Sequence, residues 1–164
     1  MKKTQITGLN KGTIINKEPT NPNQKVGQIR GRIIDYYIQI ELLINAFLTN
    51  YFVLENKHSD FLTKFLYDDF CSTGLKIRVL EKLLPENKIV RGFYVELRRL
   101  TNIRNIAAHS YPMSLNGPIV LETRKLESKD LRVLEEEFFK IYKKVFPLLI
   151  DAVNKLIEDK VKMS

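Results

Sequence analysis

The apolar residues of this chain recur at steps of three and four over long stretches, and this spacing constrains the fold more than any other feature. Over residues 26–54 the apolar stripe is broad, which predicts a helix packed inside a bundle rather than one lying on a surface. Asp35 and Glu41 interrupt the stripe, so Glu41 either points outward or faces a polar site. The apolar positions are Ile33, Tyr36, Tyr37, Ile40, Leu43, Ile44, Phe47 and Tyr51.

Capping side chains and prolines divide the rest of the chain into further helices. Ser59 or Asp60 can cap a short helix, Ser72 or Thr73 the next, and Ser128 or Asp130 the last. Pro147 lies inside the last helix and should kink or break it near Phe146, because proline removes a backbone donor and clashes with the preceding turn. The predicted helices cover residues 61–69, 75–84, 87–111 and 131–160.

These segments predict an all-α bundle of four long helices with one or two short helices inserted. Residues 113–126 alternate between apolar and polar and contain a turn signal, which predicts a small β-hairpin. Residues 1–24 have little periodicity and are expected to form a flexible arm, leaving residues 25–160 as the helical domain. The chain contains no glycine-rich phosphate loop, no GxSxG elbow and no HExxH motif.

Charge and composition narrow the classes of function. A net charge of +8 favours polyanionic partners such as RNA, although a basic soluble surface explains it equally well. Cys71 is the single cysteine, which fits a reducing, cytoplasmic location. Besides Cys71 the chain has only two histidines, His58 and His109, so a structural zinc site is not expected. We expect neither a metal nor a cofactor. No long apolar run or apolar leader is present, so neither membrane span nor secretory signal is expected.

The segment TNIRNIAAHSYP, residues 101–112, gathers polar side chains near the end of a predicted helix. Asn105 and His109 are four residues apart and share a helix face, whereas Arg104 lies about 140° around the helix from His109. An arginine fork matches two phosphate oxygens, and a histidine can move a proton near neutral pH. Arg104, Asn105 and His109 therefore either bind a phosphate or form a polar cluster that joins helices.

These side chains have the chemistry needed to cleave RNA without a metal ion. A base activates the 2′-OH, Arg104 stabilises the phosphorane, and an acid protonates the leaving 5′-oxygen. One histidine cannot easily serve as both base and acid. Two chains related by a two-fold axis would supply two copies of His109, so a homodimer is expected.

The run Arg104-Asn105-Ile106-Ala107-Ala108-His109 resembles the R-(4–6 residues)-H signature of HEPN domains, including the asparagine that often follows the arginine. Together with FLTKFLYDDFCSTGLKIRVLEKLL it is similar to the mannitol-operon-repressor-type branch. The resemblance covers roughly residues 26–155. It implies a dimeric helical bundle with both motifs at the interface, and a metal-independent endoribonuclease of a toxin or defence system.

The resemblance also implies roles for individual residues. Arg104 and His109 would be the catalytic pair, with Asn105 positioning the substrate or His109, and Glu41 would be a supporting acidic residue unless it is an outward salt-bridge partner. Tyr111 extends the motif to R-(4)-H-x-Y, which looks like the HEPN toxins whose nucleotidyltransferase antitoxin adds AMP to that tyrosine. The alternative for Tyr111 is an aromatic packed under the following loop.

Arg91, Arg98 and Arg99 give the motif helix a basic side that could follow an RNA backbone or be a solvated face. Cys71 is expected to be a small buried apolar residue and His58 an exposed one. The second function hypothesis is a HEPN-like regulatory or scaffold protein that binds a partner protein or nucleic acid and cuts nothing. The enzyme requires that Arg104 and His109 of two chains meet in an open, basic groove, whereas a His109 sealed in the core, or an apolar groove, would favour the scaffold.

Overall fold

Helices dominate the computed structural model of the chain, which describes residues 22–84, 88–113, 120–122 and 128–163. A mostly helical fold with a small sheet confirms the predicted all-α class. The helices are α1 (Pro22–Phe52), α2 (His58–Phe61), α3 (Thr73–Leu83), α4 (Lys88–His109) and α5 (Leu131–Met163). A 3₁₀ turn (Glu55–Lys57) precedes α2, and a π-helical turn (Leu62–Leu66) follows it.

Helix α4 packs antiparallel to α1 and α5, while α1 and α5 run parallel to each other. Arg32 of α1 pairs with Glu135 of α5, and farther along both helices the hydroxyl of Tyr142 donates to Gln39. Tyr37, Leu97, Leu100 and Phe138 are among the largest fully buried side chains and form the centre of the core. The buried apolar positions on α4 include Phe93, Tyr94, Leu97, Leu100, Ile103 and Ala107.

Two of the predicted helix starts are confirmed by their caps. The hydroxyl oxygen of Ser72 accepts from the backbone N–H of Leu75 at 3.3 Å. Asp130 Oδ1 accepts from the N–H groups of Arg132 at 2.8 Å and Val133 at 3.2 Å. Each carboxylate or hydroxyl oxygen satisfies a donor that the first helical turn leaves unpaired.

The short helix predicted over residues 61–69 is wrong in its bounds and in its cap. Helix α2 begins at His58, and neither Ser59 nor Asp60 caps it. The preceding 3₁₀ turn ends in helical backbone geometry at His58, so the helix follows from it without a side-chain cap. The segment then widens into the π-helical turn, in which the Tyr67 N–H donates to the carbonyl of Leu62 at 2.9 Å.

Pro147 does not break the last helix, contrary to one of the two predicted outcomes. Helix α5 is continuous from Leu131 to Met163 with Pro147 inside it. Pro147 is exposed, whereas Val145 and Leu149 on either side are buried against the core. Apolar packing of α5 on both sides of the proline outweighs the missing backbone hydrogen bond, which costs about 3 kcal/mol.

The predicted hairpin is a three-stranded antiparallel sheet of β1 (Tyr111–Met113), β2 (Val120–Glu122) and β3 (Ser128–Asp130). Its central residue, Leu121, is fully buried and fixes the sheet to the core. The prediction placed two strands within residues 113–126, whereas β1 begins earlier and β3 leads directly into α5. Pro112 is tolerated because β1 is an edge strand.

Residues 1–21 of the predicted arm lie outside the described residues, and its last three residues are already part of α1. Cys71 is buried and free, as expected. His58 is half-buried rather than exposed, because its Nε2 contacts the carbonyl of Val53 at 3.1 Å. Within the described ranges, no helix is both long and apolar enough to cross a membrane.

Candidate functional site

The polar motif of α4 is divided between two faces of the helix. Asn105 and His109 are exposed on the outward face, while Arg104 is half-buried on the side that faces α1. His109 is the last residue of α4, so its imidazole lies at the helix end rather than inside the bundle. The exposed position of His109 excludes the sealed-core arrangement that would have favoured a scaffold.

Arg104 is held in place by contacts on both helices. Its guanidinium carbon lies 5.6 Å from the centre of the Tyr37 ring, which is cation–π distance. Its Nη1 donates to Asn105 Oδ1 at 3.0 Å. Asn105 therefore contacts Arg104 in this structure, rather than His109.

A buried hydrogen-bonded network supports the Tyr37 ring beneath Arg104. The hydroxyl oxygens of Tyr37 and Thr101 are 2.7 Å apart, and Thr101 donates to the carbonyl of Leu97 at 2.9 Å. Burial raises the pKa of Tyr37 to about 12; the Glu41 carboxylate adds to the rise, while the Thr101 hydrogen bond and the Arg104 charge oppose it. Arg104 thus stacks on a phenol that remains neutral in the folded protein.

The raised pKa of Tyr37 predicts a loss of stability at high pH. The folded protein holds this proton more tightly than the unfolded chain, whose tyrosine has the ordinary value of 10.0. The stabilisation is therefore complete below pH 10 and is lost as the pH rises through about 12. By about pH 11 we expect Tyr37 alone to lower the unfolding free energy by about 1.4 kcal/mol.

Urea unfolding of wild type and Tyr37→Phe at about pH 8 and pH 11 measures this loss. Tyr37→Phe should lose less unfolding free energy than wild type between these two pH values. Burial also raises the pKa of Tyr94 to about 12, so Tyr94→Phe should likewise lose less stability than wild type at high pH. In the double variant the two reductions should add. An equal decline in wild type and all three variants would refute the assignment.

Arg30 is a site residue that the sequence analysis missed. Its Nη2 donates to the carbonyl of Ala108 at 2.8 Å, so it caps the C-terminal end of α4 next to His109. Ala108 follows Arg104 by one helical turn, about 6 Å along the axis. One signal in the sequence could have found it: Arg30 precedes Tyr37 by seven residues and shares its face of α1.

The arginines of α4 differ in whether their charge is neutralised. Arg98 pairs with Glu81, and Arg99 pairs with Glu137 at 2.6 Å and with Glu96 at 3.7 Å. In contrast, Arg30 and Arg104 have no carboxylate partner among the residues that the structure describes. Among these arginines, the charge that no carboxylate neutralises therefore lies where α1 packs on α4, which we term the α1–α4 seam. It does not lie along the basic side formed by Arg98 and Arg99. The side chain of Arg91 lies outside the described part of the structure.

Two other predicted site residues lie on different elements: Tyr111 begins β1 just beyond His109, and Glu41 is on α1. Tyr111 is 78% exposed and lies opposite Glu122 in the sheet, and the loop that follows it lies outside the described residues. Glu41 accepts a hydrogen bond from the Thr73 hydroxyl. It lies one helical turn beyond Tyr37 on α1, close enough for its charge to raise the pKa of that phenol, and about 17 Å along the helix axis from Arg30.

The described residues contain no group of three or more His, Cys, Asp and Glu side chains placed to hold a metal ion. No family model matches this chain, and neither a curated protein nor a solved structure matches it significantly. The residues of the site and their chemistry therefore carry the functional argument.

Proposed function

We propose that the chain is a metal-independent endoribonuclease of the HEPN type, acting as a toxin or defence effector. The observation that carries this proposal is the exposed His109 at the end of α4, with Arg30 bound to the Ala108 carbonyl next to it and Arg104 on the preceding turn; among the described residues neither arginine pairs with a carboxylate. Two guanidinium groups from adjacent helices can share the oxygens of one phosphate. The imidazole of His109 at the end of α4 would supply the proton transfer.

The reaction would be an attack of the RNA 2′-OH on the adjacent phosphorus. His109 as base takes the hydroxyl proton, and the bond from the 2′-oxygen to phosphorus forms. Arg104 stabilises the charge that develops on the phosphorane oxygens. The bond from phosphorus to the 5′-oxygen then breaks, and an acid protonates that oxygen. The products are a 2′,3′-cyclic phosphate and a 5′-hydroxyl.

A second copy of the chain would supply the acid, because each chain offers one histidine at this site. Two features support a homodimer. In one chain the guanidinium of Arg104 and the imidazole of His109 emerge on different faces of α4, so one chain leaves the site incomplete. Next to the α1–α4 seam, α1 exposes Ile38 and Leu42 at 45% and 50%, an apolar stripe suited to a self-contact. The two-fold contact would then bring the two seams together.

The resemblance to antitoxin-controlled HEPN toxins suggests how the site could be silenced. Tyr111 is exposed two residues beyond His109, so its hydroxyl is open to an antitoxin enzyme. Transfer of AMP to it would place a phosphate near Arg30 and Arg104, where it would compete with the RNA phosphate. This regulatory proposal depends on the ribonuclease proposal.

Cleavage of single-stranded RNA in excess EDTA tests the proposed function. Wild type should cut the RNA to 2′,3′-cyclic phosphate ends and leave DNA of the same sequence intact, because DNA lacks the 2′-OH. Arg104→Ala should reduce the rate by about 100-fold or more. Arg98→Ala is the matched control on the same helix, and it should stay within about three-fold of wild type because Glu81 already neutralises Arg98.

Other results would contradict the mechanism. Cutting of DNA, or loss of activity with the chelator, would point to different chemistry. A folded wild-type dimer that binds RNA or a partner protein but cleaves nothing would favour the regulatory or scaffold function instead.

A further inference from the structure

A second surface lies about 30 Å along α1 from Arg30 and is unused by the proposed reaction. The C-terminal part of α1, the π-helical turn and α3 enclose an apolar cavity of about 310 Å³, which we term the aromatic groove. It is lined mainly by Leu48, Phe52, Phe65, Leu66, Leu75 and Val79. Its inner wall is buried, whereas Phe52, Phe65 and Leu75 at its mouth are exposed.

The apolar surface continues from the aromatic groove onto the loop that precedes α3. Tyr67 and Phe70 are more than half exposed, and the Phe65 and Phe70 rings meet edge to face at 5.4 Å. With Phe52, Phe65 and Leu75, they leave on the order of 500 Å² of apolar surface open to water. A patch of this size is comparable with the largest apolar patch of a typical monomer, and such patches are often interaction surfaces.

Two acidic side chains lie on the loop beside this surface, although the chain as a whole is basic and the buried Lys76 lines the groove itself. Asp68 and Asp69 lie between Tyr67 and Phe70, and both are exposed. Among the described residues neither pairs with a basic side chain, and Asp68 Oδ1 only accepts from the Phe70 N–H at 3.2 Å. Two unneutralised carboxylates on a chain of net charge +8 favour a basic partner at this place.

We propose that the aromatic groove binds an amphipathic helical segment of another protein, with two or more bulky apolar side chains and flanking lysine or arginine. The apolar side chains would enter the cavity and pack on Phe65, Phe70 and Leu75, and the basic flank would face Asp68 and Asp69. The area of the patch is below that of a standard protein interface, so the partner contributes a short segment.

The same carboxylates argue against two other occupants. RNA phosphates would be repelled by Asp68 and Asp69, even though aromatic rings can stack bases. A second copy of this chain bound by two-fold symmetry would place its own Asp68 and Asp69 against these residues, because such a contact pairs the same patch with itself. A different, basic protein avoids both repulsions.

The proposal is tested by selecting displayed random peptides of about 16 residues on the intact protein. Enriched peptides should combine apolar residues three or four apart with a net positive charge. The best peptide is then synthesised, labelled with fluorescein and titrated by anisotropy. Phe70→Ser combined with Leu75→Asn should weaken its binding at least about ten-fold. Val133→Ser is the matched control, as exposed as Phe70 at 58%, and should stay within about two-fold.

The isosteric double change Asp68→Asn, Asp69→Asn tests the charge without disturbing the fold. It should weaken binding about five-fold at low salt, and the difference from wild type should shrink in about 0.5 M NaCl. Asp151→Asn, an exposed carboxylate on α5, serves as the control. Circular dichroism of every variant checks that the fold is intact.

Several results would overturn the proposal. These are an absence of enriched peptides, enrichment of acidic peptides, or equal binding to wild type and the groove variants. Conversion of a dimer to a monomer by Phe70→Ser and Leu75→Asn in sedimentation would assign the groove to a second copy. Loss of RNA crosslinking in the same variant would assign it to RNA. None of these results depends on ribonuclease activity.

Discussion

His109→Ala is expected to abolish RNA cleavage while leaving the protein folded. The imidazole would move the proton in the rate-limiting step, and such a group contributes about 100- to 10,000-fold to the rate. If both base and acid come from His109 of two copies, the loss approaches the upper end of that range. Because His109 is exposed at a helix end, its removal costs little packing, and the unfolding free energy should change by about 0.5 kcal/mol or less.

His58→Ala is the matched control, because His58 is the other histidine of the chain. It loses a contact with the Val53 carbonyl, at the opposite end of α1 from Arg30 and the His109 end of α4, so the cleavage rate should stay within about two-fold of wild type. Equal rates for His109→Ala and wild type would refute the assigned role of His109. If His109→Ala loses activity because it unfolds, the role of His109 is structural rather than catalytic. Circular dichroism distinguishes the two cases.

Mixed dimers show whether two copies of His109 act in one site. Wild type and His109→Ala are unfolded together in varying ratios, refolded, and assayed for cleavage. Activity should fall with the square of the wild-type fraction if each site needs both imidazoles, because only dimers of two wild-type chains are then active. A linear decline would mean that each chain carries a complete site, which would refute the composite arrangement.

Phe138→Ala is expected to produce the largest loss of stability of any substitution considered for this chain. Phe138 is fully buried at the meeting of α1, α4 and α5, and its ring is stacked with Tyr142 at 6.1 Å. Truncation of a core phenylalanine to alanine costs about 3–5 kcal/mol through lost burial and the cavity that remains. Domains of this size are stable by about 5–15 kcal/mol, so the variant should be close to unfolding.

Urea unfolding of Phe138→Ala beside Val133→Ala measures this cost. Val133 lies five residues earlier on α5 but is exposed, so its truncation should change the unfolding free energy by about 0.5 kcal/mol or less. A loss below about 1 kcal/mol for Phe138→Ala would mean that α5 does not pack in the core as described.

Much of the fold could be predicted because helices are specified locally. The apolar spacing on α1 and α4, the Ser72 cap and the Asp130 cap depend on residues within a few positions of one another. Pro147 shows the limit of such local arguments. The proline predicted a kink or break, yet the packing of Val145 and Leu149 against distant helices keeps α5 continuous.

The candidate site could be predicted only in part, because some of its contacts join residues that are distant in sequence. The common face of Asn105 and His109 follows from helix geometry alone. No local pattern predicts that Tyr37 lies under Arg104, or that Glu81 and Glu137 neutralise Arg98 and Arg99, since each pairing joins two helices.

Local patterns were enough to predict a helical chain, two of the helix starts and the Arg104–His109 motif. These properties rest on local backbone geometry and on the helical repeat. Three features depend on tertiary packing: the contact of Arg30 with the end of α4, the pairing of Arg98 and Arg99 with carboxylates, and the aromatic groove at the far end of α1. Such contacts join residues distant in sequence, and they are set by how whole helices pack to bury apolar surface.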